Sequence, residues 1–557
     1  MTWLFVRLSL MWALIVSPWL LATLWRPRGD GVARVAGAGL IALTLNTALP
    51  ALMHAAGIPL TPLALAVGHW GLGLGLVLAA LGFRVRIVPG SPGFGLAGAA
   101  MFFAFAVTVF PHTFLAGIDT YKWQDLATWA AVEQSVPWLT HPLAILGYAP
   151  RAYPAMQPLC LATIQILGET GVDGGFYIVS LLGGLTGLTG MFLLARRLTA
   201  SDRLAGWSAF LYVFSPVFMR YNHWATGRGL FLAVFPALVL ALTEPGRLRS
   251  RVRVLFAAAA LLLTHRAALP AMLLLGTAWL AARVPWGWFA VKPTGRLTLA
   301  LPFALVGMAI SAPLALPFPL DRVLGFAARV AVQTGPMALP AAAGFLFADA
   351  LWKEARWRCL MLFGLSAMAL SGGTMYGALP ALLPASLWAA HGLILVEKRC
   401  WPTWRPRLAG ALAVLCAGAA LATVVNRNRD AVPRRVRDAA RFLNTFDPDG
   451  PYMLQAPERV RTGIQAYVTG CPRPDFGSLA ATRPRLAPFP SGSWRHPRRT
   501  LDRWIAYGRR GAQVPDAVPG AYYGLNPKIY RIVVDAPEDA AVAGKRIYSG
   551  NGLDIFE

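Results

Sequence analysis

The sequence predicts a polytopic α-helical membrane protein with about fourteen transmembrane helices and a small C-terminal α/β domain outside the membrane. Three observations predict it. Of 557 residues, 56% are hydrophobic and 14% charged, where a soluble globular chain carries charge on about a quarter of its residues. Apolar runs of bilayer length recur, among them LFVRLSLMWALIVSPWLLATLW, ALAVGHWGLGLGLVLAALGF and ALPALLPASLWAAHGLILV, and about 20 such residues cross a membrane as a helix. Between the runs, arginines gather in short clusters: RPRGDGVAR, FRVRI, ARRLTASDR, GRLRSRVR, KEARWR and EKRCWPTWRPR. Clusters on alternate loops follow the positive-inside rule, so topology accounts for most of the formal charge of +26 and nucleic acid is not needed to explain it.

Placing the basic clusters in the cytoplasm orders the elements. The first run is too long for a cleaved signal and reads as a retained helix. Spans are expected over 3–25, 33–55 and 61–82, and a fourth over 95–115 runs outward into GIDTYKWQD. The next basic cluster, Arg196 and Arg197 with Arg203, ends the run that begins near Phe176, so residues 117–174 form one long outer loop. Its half-apolar segment PAMQPLCLATIQIL is expected to lie along the interface without crossing. Helical hairpins follow, with outer turns MRYNHWATGRG, THRAAL, PFPLDRV and SGGTMYG, and a last span over 407–425. From residue 430 the composition turns polar. VRDAARFLNTF has helical spacing; PYMLQAP, KIYRIVVDA, RIYS and LDIFE read as strands, the last two as a hairpin around Gly550-Asn551-Gly552. The Pro- and Arg-rich stretch between them reads as loop. Three parts result: additional N-terminal helices (1–94), a transmembrane domain with the long outer loop (95–429), and an outer α/β domain (430–557). The five cysteines, Cys160, Cys359, Cys400, Cys416 and Cys471, have no metal-ligand spacing; a Cys160–Cys471 bridge is open but unsupported.

Acidic residues are scarce before residue 430. Asp30, Asp202, Glu244, Asp349, Glu354 and Glu397 sit among or near the cytoplasmic arginines as charge partners, and Asp321 lies on a short turn. The other five, Asp119, Asp125, Glu133, Glu169 and Asp173, all fall in the long outer loop. Asp119, just beyond a span, stands where desolvation raises a carboxyl pKa and nearby cations lower it, the balance a general base needs. It also suits the N-cap of a helix starting at Thr120 or Tyr121, and the two roles are compatible. Asp125 is either a second acid touching metal or acceptor, or solvated surface.

Arginines on outer turns run against the topological trend. Arg220, His223 and Arg228 lie in FMRYNHWATGRG, and His265 and Arg266 in LLLTHRAAL, beside apolar sequence. A charge at such depth is costly and marks a functional site unless it snorkels to the headgroups. The planar fork of arginine matches phosphate, and histidine adds a hydrogen bond or proton. Tyr148, Arg151, Tyr153 and Gln157 complete the loop in GYAPRAYPAMQP, where Tyr and Arg next to prolines suit either a sugar-contacting surface or an interfacial belt. His54, His69, His112 and His391 each read as isolated structural residues.

The order of these parts resembles the GT-C superfamily of membrane glycosyltransferases, which use polyprenyl-phosphate-linked sugars. A span ends in Asp119 followed by the aromatic Tyr121; a long outer loop carries AYPAMQPLCLA; helical hairpins and an outer α/β domain follow, and Thr264-His265 also fits. The likeness covers most of residues 95–557. It implies that Asp119 deprotonates the acceptor hydroxyl, that Arg220, Arg228, His265 and Arg266 hold the donor phosphate, and that Tyr121, Tyr153 and Arg151 contact sugar or acceptor. Many members carry two adjacent acids where this chain has Asp119-Thr120, which leaves a divalent metal (Mg or Mn) open, and about three spans precede the matching one.

The expected activity is inverting transfer of a sugar from a polyprenyl phosphate to a glycan, lipid or protein hydroxyl on the outer face of a bacterial inner membrane. The rival functions are a lipid or solute transporter or flippase, and a non-catalytic partner in envelope polysaccharide assembly. Transporters place ionisable groups near the bilayer midplane, whereas here they gather towards one surface.

Overall fold

In the computed structural model of the chain, the first span is nearly continuous: Thr2–Met11 (α1), a π-helical turn over Trp12–Val16 and Ser17–Trp25 (α2). The structure describes most of residues 2–82, 123–148 and 153–446, together with the strands of a C-terminal sheet. The main stretches outside the described residues are 83–122, 149–152, 285–291, 312–320, 456–527 and 535–545, with shorter breaks that include residue 125.

Gly31–Ala55 (α3) and Pro62–Gly82 (α4) complete an N-terminal group that packs with α1 and α2. Met156–Gly168 (α5) leads to the long central helix Val172–Thr199 (α6), which packs against α3, against Asp202–Val213 (α7) and against Gly227–Leu242 (α9). Between the last two lies the short Pro216–His223 (α8). The hairpin Leu248–Leu262 (α10) and Ala268–Ala281 (α11) follows, then Pro293–Ala309 (α12), Asp321–Thr334 (α13), Ala338–Phe347 (α14), Ala355–Ser371 (α15), Met375–Arg399 (α16) and Arg405–Asn428 (α17). Helix α16 is the second organiser, packed on α7, α14 and α15.

Among the described residues, six segments are long and apolar enough to cross a membrane: Leu4–Leu24, Gly31–Ala55, Gly174–Thr199, Arg322–Phe347, Leu379–Arg399 and Pro406–Thr423. Four shorter apolar helices accompany them: Pro62–Leu78, Met156–Gly168, Gly227–Leu242 and Ala268–Ala281. The chain is therefore a multi-pass membrane protein. The expected span over 95–115 lies outside the described residues, and the six do not make up the expected fourteen.

Helix α5 departs from the sequence reading. An interfacial helix keeps a polar face in water, but Met156 to Thr163 of α5 are all buried, as are Ile164, Ile166 and Leu167. It is tied into α3: the Cys160 thiol donates to the Leu43 carbonyl (3.2 Å) and Thr163 Oγ1 to the Asn46 carbonyl (3.1 Å). An apolar helix short of bilayer length gains more by burying every side inside the bundle than by lying on its surface. Cys160 is a free, buried thiol, which removes the bridge to Cys471.

Where the chain turns polar, Arg434–Phe446 (α18) precedes a four-stranded sheet of Tyr452–Gln455 (β1), Lys528–Val534 (β2), Arg546–Gly550 (β3) and Leu553–Phe556 (β4) in the order β1-β2-β4-β3. β1 and β2 are parallel, with Tyr452 opposite Lys528; β4 is antiparallel to both β2 and β3, with Val534 and Gly550 opposite Leu553. Val436, Ala439, Ala440 and Leu443, spaced at helical intervals, are the buried residues of α18, which packs on β3 and β4.

The arginine-rich ends are tied together by ion pairs. Arg203 at the start of α7 pairs with the buried Glu397 at the end of α16. Arg296, fully buried in α12, reaches Asp349 at 2.7 Å and the Leu346 carbonyl at 2.6 Å. Arg356 meets Glu354 at 2.8 Å. These acids are charge partners, as their place in the sequence suggests.

Candidate functional site

At the opposite end of α16, whose 25 residues span about 37 Å, three helices begin close together. The first is α9, reached from α8 through a tight corner. Ala225 adopts a left-handed φ of 42°, and the Thr226 hydroxyl donates to the Tyr221 carbonyl (3.1 Å) while accepting from the Gly229 N–H (3.3 Å), which caps α9. Ser180 Oγ of α6 donates to the Asn222 carbonyl at 2.8 Å and the Asn222 side chain donates back to the Ser180 carbonyl at 2.8 Å, so the end of α8 is fixed to the central helix.

The second is α11, reached from α10 through Leu263–Ala267. A Cβ on Gly227 would lie 2.5 Å from the Thr264 carbonyl oxygen. Only glycine allows the first residue of α9 to press on this turn. The third is α16, whose second residue, Tyr376, is partly exposed.

Cations and aromatic rings alternate across these three starts. The guanidinium of Arg220 lies 5.4 Å from the Tyr221 ring centre. That of Arg228 lies 5.2 Å from Tyr221 and 5.4 Å from Tyr376. The His265 ring is 5.4 Å from Tyr376. Arg266, next in the chain, lies 4.7 Å from Tyr153, which meets Trp123 edge-on at 4.9 Å. Each cation–ring contact contributes about 0.5–2 kcal/mol.

His265 is held neutral. Burial first, then the positive charges of Arg228 and Arg266, push its pKa down to about 3. Its Nδ1 accepts the Ala267 N–H at 3.0 Å, so the proton of the neutral ring is on Nε2 and that nitrogen is a donor. The histidine thus offers a hydrogen bond without adding charge.

The structure therefore gathers four of the residues singled out in the sequence, Arg220, Arg228, His265 and Arg266, with Tyr153 beside Arg266. Asp119, Tyr121, Asp125 and Arg151 lie outside the described residues. Tyr221 and Tyr376, the rings that carry the cations, were not singled out; a tyrosine at the mouth of an apolar helix was the only signal, and it is shared with ordinary interfacial belts. His223, named beside the arginines, is buried at the end of α8. His54 is not isolated: its ring lies 5.9 Å from that of His141, whose Nε2 donates to the Ala51 carbonyl at 3.1 Å. Burial, then His54, lowers the His141 pKa to about 3. Among the described residues, no group of three or more His, Cys, Asp and Glu side chains could hold a metal ion.

This architecture has known counterparts. The crystal structure of ArnT from Cupriavidus metallidurans bound to undecaprenyl phosphate matches 83% of this chain and 97% of ArnT, with a TM-score of 0.52 and 14% identity. That of the Archaeoglobus fulgidus oligosaccharyltransferase, in complex with Zn and sulfate, matches 67% of this chain and 61% of its own, with a TM-score of 0.48 and 14% identity. The chain shares the fold of ArnT. It spans about six-tenths of the oligosaccharyltransferase but nearly all of ArnT, and at this identity the likeness is one of fold. No known protein family and no curated protein matches the sequence.

Proposed function

We propose that the protein is an inverting GT-C glycosyltransferase of a bacterial inner membrane, moving a sugar from a polyprenyl phosphate to an acceptor hydroxyl on the outer face, where the C-terminal domain also lies. One observation carries this reading: Arg228 sits in the first turn of α9 and Arg266 just ahead of α11, and these helix starts touch. A helix N-terminus carries about half a positive charge, so a cation there costs about 0.3–1 kcal/mol. Two such cations beside two N-termini form a positive cluster that would stabilise an anion placed against it. Phosphate, which takes bidentate arginine and backbone N–H donors together, is the anion that suits it. The shared fold supports a lipid-borne phosphate, since ArnT has been crystallised with undecaprenyl phosphate.

In this reading the donor phosphate rests against Arg228 and Arg266, takes a hydrogen bond from His265 Nε2, and has Arg220 at its flank. Asp119 accepts the proton of the acceptor hydroxyl. The acceptor oxygen forms its bond to the anomeric carbon as the bond from that carbon to the phosphate oxygen breaks on the opposite face. The electron pair leaves with the phosphate, whose added charge falls on the arginines, and configuration inverts. Stabilising that leaving group is the larger electrostatic contribution. Tyr121, Tyr153 and Arg151 contact sugar or acceptor. A divalent metal, if held by Asp119 and Asp125, would further screen the phosphate; no step requires it.

The test compares cells expressing wild type and Asp119→Asn at equal protein level, with polyprenyl-phosphate sugars quantified by lipid mass spectrometry. Build-up of one donor in the mutant, with loss of an outer glycan, is expected and names the sugar. An unchanged lipid profile with the glycan intact removes Asp119 as the base.

A further inference from the structure

Tyr148 lies on the long outer loop, more than a hundred residues before the turn that carries His265 and Arg266. Its hydroxyl nevertheless donates to the Arg266 carbonyl at 3.0 Å, with the His265 carbonyl a longer second acceptor at 3.5 Å, and accepts the Leu269 N–H at 3.2 Å. Leu269 is in the first turn of α11, where backbone N–H groups have no partner within the helix. The residue that would normally cap them, Ala267, has no side-chain acceptor and makes no cap bond. One phenol thus does from a distant segment what a local Ser or Asp would do. It also holds the carbonyl of the very residue whose guanidinium reaches Tyr153. Burial raises the Tyr148 pKa, more than the Leu269 bond and Arg266 lower it, so the hydroxyl keeps the proton it donates.

The loop grips the same turn from its other side, where Met156 N–H donates to the Leu263 carbonyl at 2.9 Å. Tyr148 and Met156 therefore bracket Leu263–Leu269, and Tyr153, between them in the chain, is the ring on which Arg266 rests. Within the turn itself, Ala268 N–H donates to the His265 carbonyl at 3.0 Å and Ala267 N–H to His265 Nδ1, so these local bonds centre on His265, and the shorter bond of the phenol goes to the Arg266 carbonyl.

We infer that Tyr148 is a positioning residue: it fixes Arg266 at the anion site by clamping the turn that carries it to the outer loop. The inference rests on the proposed phosphate site and adds to it a link between that site and the loop bearing Asp119. Binding of the lipid phosphate by Arg266 would then be felt on the loop that presents the base.

The experiment is a double-mutant cycle on the full-length protein in lipid nanodiscs, measuring the dissociation constant for undecaprenyl phosphate and the thermal midpoint. Tyr148→Phe removes one oxygen and keeps the ring. It is expected to weaken binding about tenfold, the worth of one or two hydrogen bonds, and Arg266→Gln about 10- to 100-fold, the worth of a charge-assisted bond. If Tyr148 acts through Arg266, adding Tyr148→Phe to Arg266→Gln changes the dissociation constant little further. Equal and additive losses would show that Tyr148 serves the fold at large and would overturn the inference. So would unchanged binding by Tyr148→Phe while Arg266→Gln binds weakly. Unchanged binding by Arg266→Gln would instead remove the phosphate site itself. A thermal midpoint in Tyr148→Phe lowered as far as binding is weakened, in both backgrounds, would also count against positioning.

Discussion

The two ends of the helical bundle hold their described arginines in different surroundings. At the end marked by the basic clusters, several charges follow the helix dipoles or meet carboxylates, while α10 and α17 also carry arginines in their first turns and Arg399 and Arg407 lie over the rings of Phe347 and Trp404. Helices α6 and α16 finish on Arg196, Arg197 and on Lys398, Arg399, and α7 starts on Asp202. Arg203, Arg296 and Arg356 each have an acid within reach. At the other end, Arg228 and Arg266 stand at helix N-termini, against the dipole, and rest on tyrosine rings. Each of these rings holds its cation in place through the aromatic quadrupole. The proposed anion site draws on the second group, in which two cations, each over a tyrosine ring, stand close to two helix starts.

The comparison breaks most visibly if Arg228 proves to be structural. Arg228→Gln is expected to slow sugar transfer by roughly 10- to 100-fold, with the thermal midpoint held within a few degrees; a protein that unfolds instead would place this arginine in the same class as Arg203. Gly227→Ala probes the contact between the two helix starts. Its Cβ would press on the Thr264 backbone, so a loss of about 1–3 kcal/mol of stability is expected together with weaker lipid-phosphate binding, read by thermal denaturation and a binding isotherm on the same sample.

Glu397→Gln sharpens the contrast from the basic end. The carboxylate is buried and its partner Arg203 is largely exposed, so about 1–2 kcal/mol of stability should be lost, while transfer per folded molecule stays within twofold.

The smallest effect concerns pH. His265 has a folded pKa of about 3, below its ordinary 6.5, so the unfolded chain takes up this proton first. Its contribution to stability is whole above pH 6.5 and is lost as pH falls toward 3. Binding of a polyprenyl phosphodiester, which does not titrate near neutrality, should therefore vary less than twofold between pH 5 and 8. His265→Gln should bind within about threefold of wild type and flatten the fall in stability between pH 6.5 and 4, as followed by thermal midpoints across buffers. A binding curve with a midpoint near 6.5 would mean that the histidine enters the site charged.

How much was legible in the sequence depends on what each feature obeys. Apolar runs and basic clusters report local transfer energies, so the spans over 3–25, 33–55 and 407–425 have described counterparts, and so do α18 and the four strand segments, whose periodicities are set by their own residues. Arg220, Arg228 and Arg266 could be picked out because they break the topological trend. Their grouping could not. Tyr376 stands more than a hundred residues after Arg228 and His265 in the chain, and nothing local marks it as their neighbour. The same holds for Tyr148, whose hydroxyl finds Arg266 and Leu269 only through the loop, and for His141 beside His54. Helix α5 shows the opposite failure: its apolar length was read correctly and its placement was not, because a short apolar helix can rest on an interface or fill a bundle, and the choice lies with its neighbours.

The sequence by itself determined that this chain enters a membrane many times, where many of its described helices and strands run and which arginines stand apart from the basic clusters, because hydropathy and charge are written residue by residue. Only the tertiary structure decided that three helix starts meet, that tyrosines from three separate segments carry the cations there, and that glycine at position 227 lets two backbones touch. Those are long-range contacts, fixed by packing between segments whose separation in the chain carries no local energy.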